Sequence, residues 1–375
     1  MISAALGAQP VPREFARREP QPAPLLPAEQ AWLVPLDALP SAGGALDEHR
    51  VYVPLKNATL VALNRETGAR IWTHAIETPW PPLLHGAVLY VGTADRIHAL
   101  DAVTGAEQWM TTFDDVLIAP LTFDVDSIIA VYGGGEVVAL RGTDGQKLWQ
   151  QNLGDLTRYA ATAGEADALY FARMDSQLVA LSRRDGHRLW NRRLPGTLSE
   201  PTVARGRVFV GSTDNFFYAF DSKSGNLAWR WRSGGDVIGA AVDEDDNVYF
   251  ASLDNILRAV RRGNGNQRWK EEIPSRPALP PRAFGRIVVT SGVAPEITAF
   301  STKTGENLGS YTAPAELEGP PLIDPVLKPY RVTFVTITRD GRAIGLRSSR
   351  LMFPEPKLGP LQPLPGRRLE REGLN

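Results

Sequence analysis

Short, nearly continuous apolar runs recur along the chain: Val51-Tyr52-Val53, Val88-Leu89-Tyr90-Val91, Ile128-Ile129-Ala130-Val131, Leu169-Tyr170-Phe171, Val208-Phe209-Val210, Val248-Tyr249-Phe250 and Ile287-Val288-Val289. Runs of this length, rich in β-branched and aromatic residues, predict strands covered on both faces. Behind each lies a second phrase, fullest in Ile97-His98-Ala99-Leu100-Asp101-Ala102-Val103-Thr104-Gly105-Ala106-Glu107-Gln108-Trp109, which reads as strand, tight turn and strand. Ahead of each lies a shorter apolar segment often opened by proline, as in Pro120-Leu121-Thr122-Phe123 and Pro201-Thr202-Val203.

The turn glycines fall at Gly68, Gly105, Gly145, Gly186, Gly225, Gly265 and Gly305, with intervals of 37, 40, 41, 39, 40 and 40 residues. Four residues after the first six come Trp72, Trp109, Trp149, Trp190, Trp229 and Trp269, whereas the seventh unit has Gly309. Six residues before each glycine stands an alanine, from Ala62 to Ala299. The residue before each glycine is Thr, Asp, Ser or Asn, whose side chain can bond the turn backbone while glycine takes the positive φ. Four strands per unit of about forty residues predict the blades of a β-propeller.

An eighth unit is weaker: Pro321-Leu322-Ile323, Arg331 to Val335 and Ala343-Ile344-Gly345-Leu346 give three strands, with no Gly-x-x-x-Trp after them. Trp32 lies 40 residues before Trp72, inside Ala31-Trp32-Leu33-Val34-Pro35-Leu36. The expected fold is therefore an all-β, eight-bladed propeller of four-stranded antiparallel blades, closed by an N-terminal strand, residues 30–36, in the last blade. Removing residues 1–36 should open the ring, and removing 1–27 should do little. The predicted boundaries are a leader remnant and proline-rich linker over 1–29, the propeller over 30–353 and a proline-rich tail over 354–375. The tryptophans read as structural, each packing on a glycine turn and on a small alanine of its own or a neighbouring blade.

Composition narrows the function. A net charge of −1 gives no bulk attraction to nucleic acid, and no nucleic-acid partner is expected. There are no cysteines, so disulfides, thiolate metal sites and a cysteine nucleophile are excluded within this sequence. Ile2 to Ala8 is small and apolar before Gln9, like the end of an export signal, which points to a periplasmic or secreted protein.

The phrase Ala99-x-Asp101-x-x-Thr104-Gly105-x-x-x-Trp109 resembles the tryptophan-docking repeat of the pyrroloquinoline-quinone (PQQ) dehydrogenase-like propellers, over roughly residues 30–350. The resemblance implies the eight-bladed fold. The family's dehydrogenases bind PQQ and calcium in a central funnel, many with a vicinal cysteine pair that this chain lacks, and they carry long insertions. Short, regular blades resemble instead the non-catalytic, BamB-like branch, which implies a scaffold for protein partners in the cell envelope. No cofactor is expected on that reading; a PQQ- and calcium-binding quinoprotein is the alternative.

Candidate chemistry is sparse. Asp243-Glu244-Asp245-Asp246-Asn247 lacks the glycine of a calcium loop and reads as a hairpin turn. The five histidines share no metal-ligand spacing, so no metal site is expected. Arginines gather in blades 4 to 6, and Arg183, Arg184, Arg192, Arg193, Arg261 and Arg262 could form a surface for an acidic partner or lipid headgroups. The favoured reading is that these charges guard blade edges against strand addition. Trp80, in a loop between blades, is the candidate exposed aromatic. The protein is expected to be monomeric.

Overall fold

A computed structural model describes residues 26–323, apart from 155, 156, 158, 165 and 166, and residues 332–348. The expected leader remnant and the tail from 354 onward lie outside the described residues. The chain forms eight four-stranded antiparallel sheets. Seven are consecutive: 45–75, 83–112, 122–152, 162–193, 202–232, 237–272 and 282–312. The eighth sheet runs Ala28–Pro35, Arg342–Ser348, Val332–Thr338, Leu322–Ile323 from rim to axis. The ring is thus closed by both ends of the chain. The closing strand starts at Ala28 rather than at residue 30.

One row of residues crosses each blade. In blade 5, Thr202 pairs with Phe209, Phe209 with Ala219 and Ala219 with Trp229. The repeated alanine is therefore the cross-strand partner of its own blade's tryptophan, as in Ala62–Trp72 and Ala139–Trp149. Blade 8 obeys the rule with a borrowed residue, because Trp32 pairs with Gly345. In the seven consecutive blades the register slips by one residue just after the alanine, a bulge that turns the outer strand.

Each tryptophan of this row reaches into the next blade. A Cβ on Gly105 would lie 2.8 Å from the Trp72 ring, and one on Gly225 2.6 Å from Trp190. Trp109, Trp149, Trp229 and Trp269 lie in the same way against Gly145, Gly186, Gly265 and Gly305, and Trp32 against Gly68. The indole Nε1 donates to the carbonyl three residues before that glycine, from 2.8 Å for Trp149 to Arg183 to 3.3 Å for Trp72 to Ala102. The core consequently lies between blades: Tyr170, Ala180 and Trp190 of blade 4 share one cluster with Val208, Tyr218 and Phe220 of blade 5.

The slot left at Gly309 is occupied. Leu26, only 1% exposed, lies beside it, with its Cβ 3.4 Å from the position a Cβ on Gly309 would take. Leu26 joins a cluster with Val289 and Ala299 of blade 7 and Phe334 and Leu346 of blade 8. The expectation that residues 1–27 are dispensable is therefore corrected: the chain enters the core two residues before the closing strand.

Candidate functional site: the channel and the rim

The innermost strands line the axis, and the shared register stacks their residues into rings. The innermost residue of the crossing row is Ala45, Leu83, Thr122, Thr162, Thr202, Ala241, Arg282 and Leu322 in blades 1 to 8. Three threonine hydroxyls tie neighbouring blades together, donating from Thr122 to Ala161 O (2.6 Å), Thr162 to Pro201 O (3.0 Å) and Thr202 to Ala240 O (3.0 Å). Two residues earlier the ring reads Gly43, Pro81, Pro120, Ala160, Glu200, Gly239, Pro280 and Pro320. Glu200 is the one ionisable side chain in it.

A cavity of about 640 Å³ opens on this axis, with Trp80, His85, Phe123, Tyr159 and Glu200 in its wall. His85 stacks on Phe123 with ring centres 3.6 Å apart. Glu200 and Arg282 are both exposed, with many protein atoms of the inner strands standing nearby. Burial pushes the Glu200 carboxyl up and the Arg282 guanidinium down, and each opposes the other's shift through its opposite charge. A second cavity of about 630 Å³ lies off-axis between blades 1 and 2; His98 in its wall is held by Glu107 at 2.6 Å.

Most residues of the expected partner surface are engaged by their own neighbours. Trp80 is not an exposed loop residue: its ring is half-buried against Tyr90, Ile97 and Leu117, and its Nε1 is buried without a partner. Arg183 is engaged by the buried Asp124 and by Gly164 O, while Arg184 bonds Asp167 at 2.8 Å. Arg262 forks onto Asp246 (2.5 and 3.1 Å) and caps Arg205 O at 2.7 Å. Arg192 bonds Ser224 O at 2.9 Å in the next blade. Arg193 and Arg261 remain exposed, one on the outer strand of blade 4 and the other at the end of the third strand of blade 6. The acidic run is a hairpin turn in which Asp243 accepts from Asn247 N (2.8 Å), Asn247 Nδ2 (2.7 Å) and the Tyr249 hydroxyl (2.6 Å).

Sequence reasoning missed a second set of fasteners. Tyr90 and Tyr170 donate to Gly142 and Ser222 O, each at 3.0 Å, while Tyr52 and Tyr249 give their proton to Asp47 and Asp243 at 2.6 Å with their hydroxyl oxygens 2.9 and 3.2 Å from Ala102 and Thr302 O. These are the carbonyls that Trp72, Trp109, Trp190 and Trp269 also reach. The signal was present: each tyrosine sits 15 or 16 residues before its blade's glycine.

With the ring's geometry in place, comparison with known proteins assigns the family. The sequence model described as "Outer membrane protein assembly factor BamB" matches residues 56–160 and 133–279, more than half the chain.

The chain belongs to the BamB family.

A BamB of Yersinia pestis is 25% identical over 236 residues, covering 56% of this chain and 59% of that protein. A BamB of Burkholderia pseudomallei is 24% identical over 335 residues, 85% of this chain and 77% of that protein. The crystal structure of BamB from Moraxella catarrhalis superposes with a TM-score of 0.70 at 17% identity, over 85% of this chain and 99% of that one. At that identity the superposition speaks for the fold alone.

Proposed function

We propose that this propeller is a non-enzymatic scaffold that holds protein partners in the cell envelope, in the service of outer-membrane protein assembly. The match to the BamB family across the middle of the ring carries the reading. Uniform blades joined by tight turns support it, since the described connections build no elaborated pocket over either face.

The quinoprotein alternative fits the channel poorly. At the level of Glu200 the other seven positions are Gly, Pro or Ala and offer no side-chain oxygen to a cation. Among the described residues no group of three or more His, Asp or Glu side chains could hold a metal.

The test is affinity capture from an envelope extract with the purified full chain. A stoichiometric protein partner, released by competing untagged propeller, is the expected result. Failure to retain any partner, together with a bound chromophore and dye reduction after adding PQQ and calcium, would replace the scaffold with an oxidoreductase.

Membrane association and oligomeric state belong to the same proposal. With only Arg193 and Arg261 unengaged among the six arginines, binding to anionic vesicles should be weak and abolished by salt. Light scattering should report a monomer.

A further inference from the structure

Among the described residues, seven of the eight blades clasp the incoming connection to the hairpin between their second and third strands. The clasp is one antiparallel bridge, such as Pro40–Leu55 in blade 1 or Leu117–Tyr132 in blade 3. Two main-chain bonds flank it. In blade 1 Lys56 N donates to Leu39 O (2.8 Å) and Ser41 N to Pro54 O (3.0 Å); in blade 3 Gly133 N donates to Val116 O and Ile118 N to Val131 O, both at 2.9 Å. Blade 2 lacks the clasp among the described residues: the counterpart pair is Trp80 and Gly92, and no bridge joins them. Pro81 stands where Ser41 and Ile118 donate, and it has no N–H. The hairpin has turned its own donor inward, with Thr93 N on Arg96 O at 2.8 Å instead of on Pro79 O. The off-axis cavity of about 630 Å³ opens at this place, with Pro79 on one wall and Ala94 on the other.

The missing clasp leaves main-chain groups open on both walls. Among the described residues no donor reaches Pro79 O, and Ala94 N–H has no acceptor, although its blade 7 counterpart Ala294 N donates to Ser275 Oγ at 3.0 Å. The floor between them is apolar, with Leu55 and Ile76 only 2% and 7% exposed. At the mouth, Lys56 and Arg96 are balanced by Glu77 and Asp95, so the cleft favours neither sign of charge. We propose that this cleft takes a short, extended, uncharged stretch of a partner polypeptide, whose main chain makes the clasp that blade 2 lacks. One N–H of the guest bonds Pro79 O, one C=O accepts from Ala94 N–H, and an aliphatic side chain between them enters against Leu55 and Ile76. Main-chain bonds then supply affinity and the apolar floor supplies selectivity, as in other cases of strand addition. The inference rests on the scaffold reading for its polypeptide guest, and it names where on the ring that guest is held.

The experiment is a methyl NMR titration of the full chain with a blocked peptide, acetyl-Thr-Val-Ser-Val-amide. Its analogue with every main-chain nitrogen methylated keeps the side chains and loses the donors. The first peptide should shift the Ile76 and Leu55 methyls saturably, and the analogue should bind at least about tenfold more weakly. Ala94→Trp, which fills the cleft, should abolish the shifts. Should that variant unfold, Ala94→Leu serves in its place, with weakened binding expected and unchanged binding overturning the proposal. No shift at Ile76 and Leu55, or equal binding of the two peptides, would also overturn it. The envelope capture separates this inference from the scaffold reading. A partner retained equally by wild type and Ala94→Trp, with no peptide shifts, overturns the cleft and leaves the scaffold. Peptide shifts at the cleft with no partner captured overturn the scaffold and leave the cleft as a peptide site.

Discussion

Trp32 closes the ring on Gly68. A Cβ on that glycine would lie 2.8 Å from the indole, whose Nε1 donates to Arg65 O at 2.8 Å. The contact repeats, from the blade that both ends of the chain build, what six other tryptophans do between consecutive blades. It shows the direction of the fastening: each of the seven docking tryptophans grips the blade that follows.

Interior grips should be individually large. Trp190→Ala removes a ring only 7% exposed together with its bond to Ser222 O at 3.0 Å, and should cost about 3–5 kcal/mol. Gly225→Ala attacks the same contact from the other side, forcing a methyl 2.6 Å from that ring at a φ of +66°. It should cost at least ~2 kcal/mol. Urea unfolding of both variants checks this, and a loss well below about 1 kcal/mol for Trp190→Ala would remove the tryptophan from the ring's energetics.

The seam between blades 7 and 8 behaves differently. Leu26→Ala should cost about 2–4 kcal/mol, as for a core leucine. Restoring the repeat's aromatic by Gly309→Trp should destabilise rather than stabilise, because that residue has φ +126° and Leu26 occupies the space. Thermal melting of these variants, and of chains starting at residue 26 and at residue 28, tests both ideas. The shorter chain should melt lower than the longer.

The shared carbonyls predict unequal losses from removing tyrosine hydroxyls. Tyr170→Phe leaves Ser222 O bonded by Trp190 and should cost about 0.5–1 kcal/mol. Tyr249→Phe also strips a donor from the buried Asp243 carboxylate and should cost about 1.5–3 kcal/mol. Equal losses in chemical denaturation would show that Asp243 is satisfied without the hydroxyl.

Acid should weaken the protein partly through Asp254. Burial alone would raise this carboxyl, but hydrogen bonds from Arg258 and Ser252 outweigh it and hold the pKa down to about 2. A depressed folded-state value means that its contribution, at most about 2 kcal/mol, is fully present above the unfolded pKa near 4 and is lost as pH falls from there toward 2. Glu200 and Asp124, both raised by burial, act in the opposite sense, so the comparison must be between wild type and Asp254→Asn at each pH. The gap between them should shrink across that window; a constant gap would show that ionisation of Asp254 contributes nothing.

The ring was legible because Gly-x-x-x-Trp marks the first six blades in one register, and its closure because Trp32 keeps that spacing. Leu26 was not legible, since its partner is the missing side chain of Gly309 and no repeat surrounds it. Trp80 was misread for a related reason: whether a linker residue faces solvent or the axis depends on where the innermost strands converge. The arginines looked free because their partners, such as Asp124 for Arg183 and Asp246 for Arg262, come from other turns, up to 59 residues away for Asp124. Glu200 and Arg282 were visible only after the innermost strands had been brought into register, because those strands are short and carry no shared motif.

The borrowed strand also constrains the order of assembly. Ala28–Pro35 pairs with residues 342–348, made more than 300 residues later. Until those residues are present, the strand has no sheet partner. Blades 1 to 7 can zip in sequence from local pairings, but the circle is completed by a contact spanning more than 300 residues. During synthesis the molecule is therefore an open arc with two unprotected edges, and it becomes a propeller in a single late event.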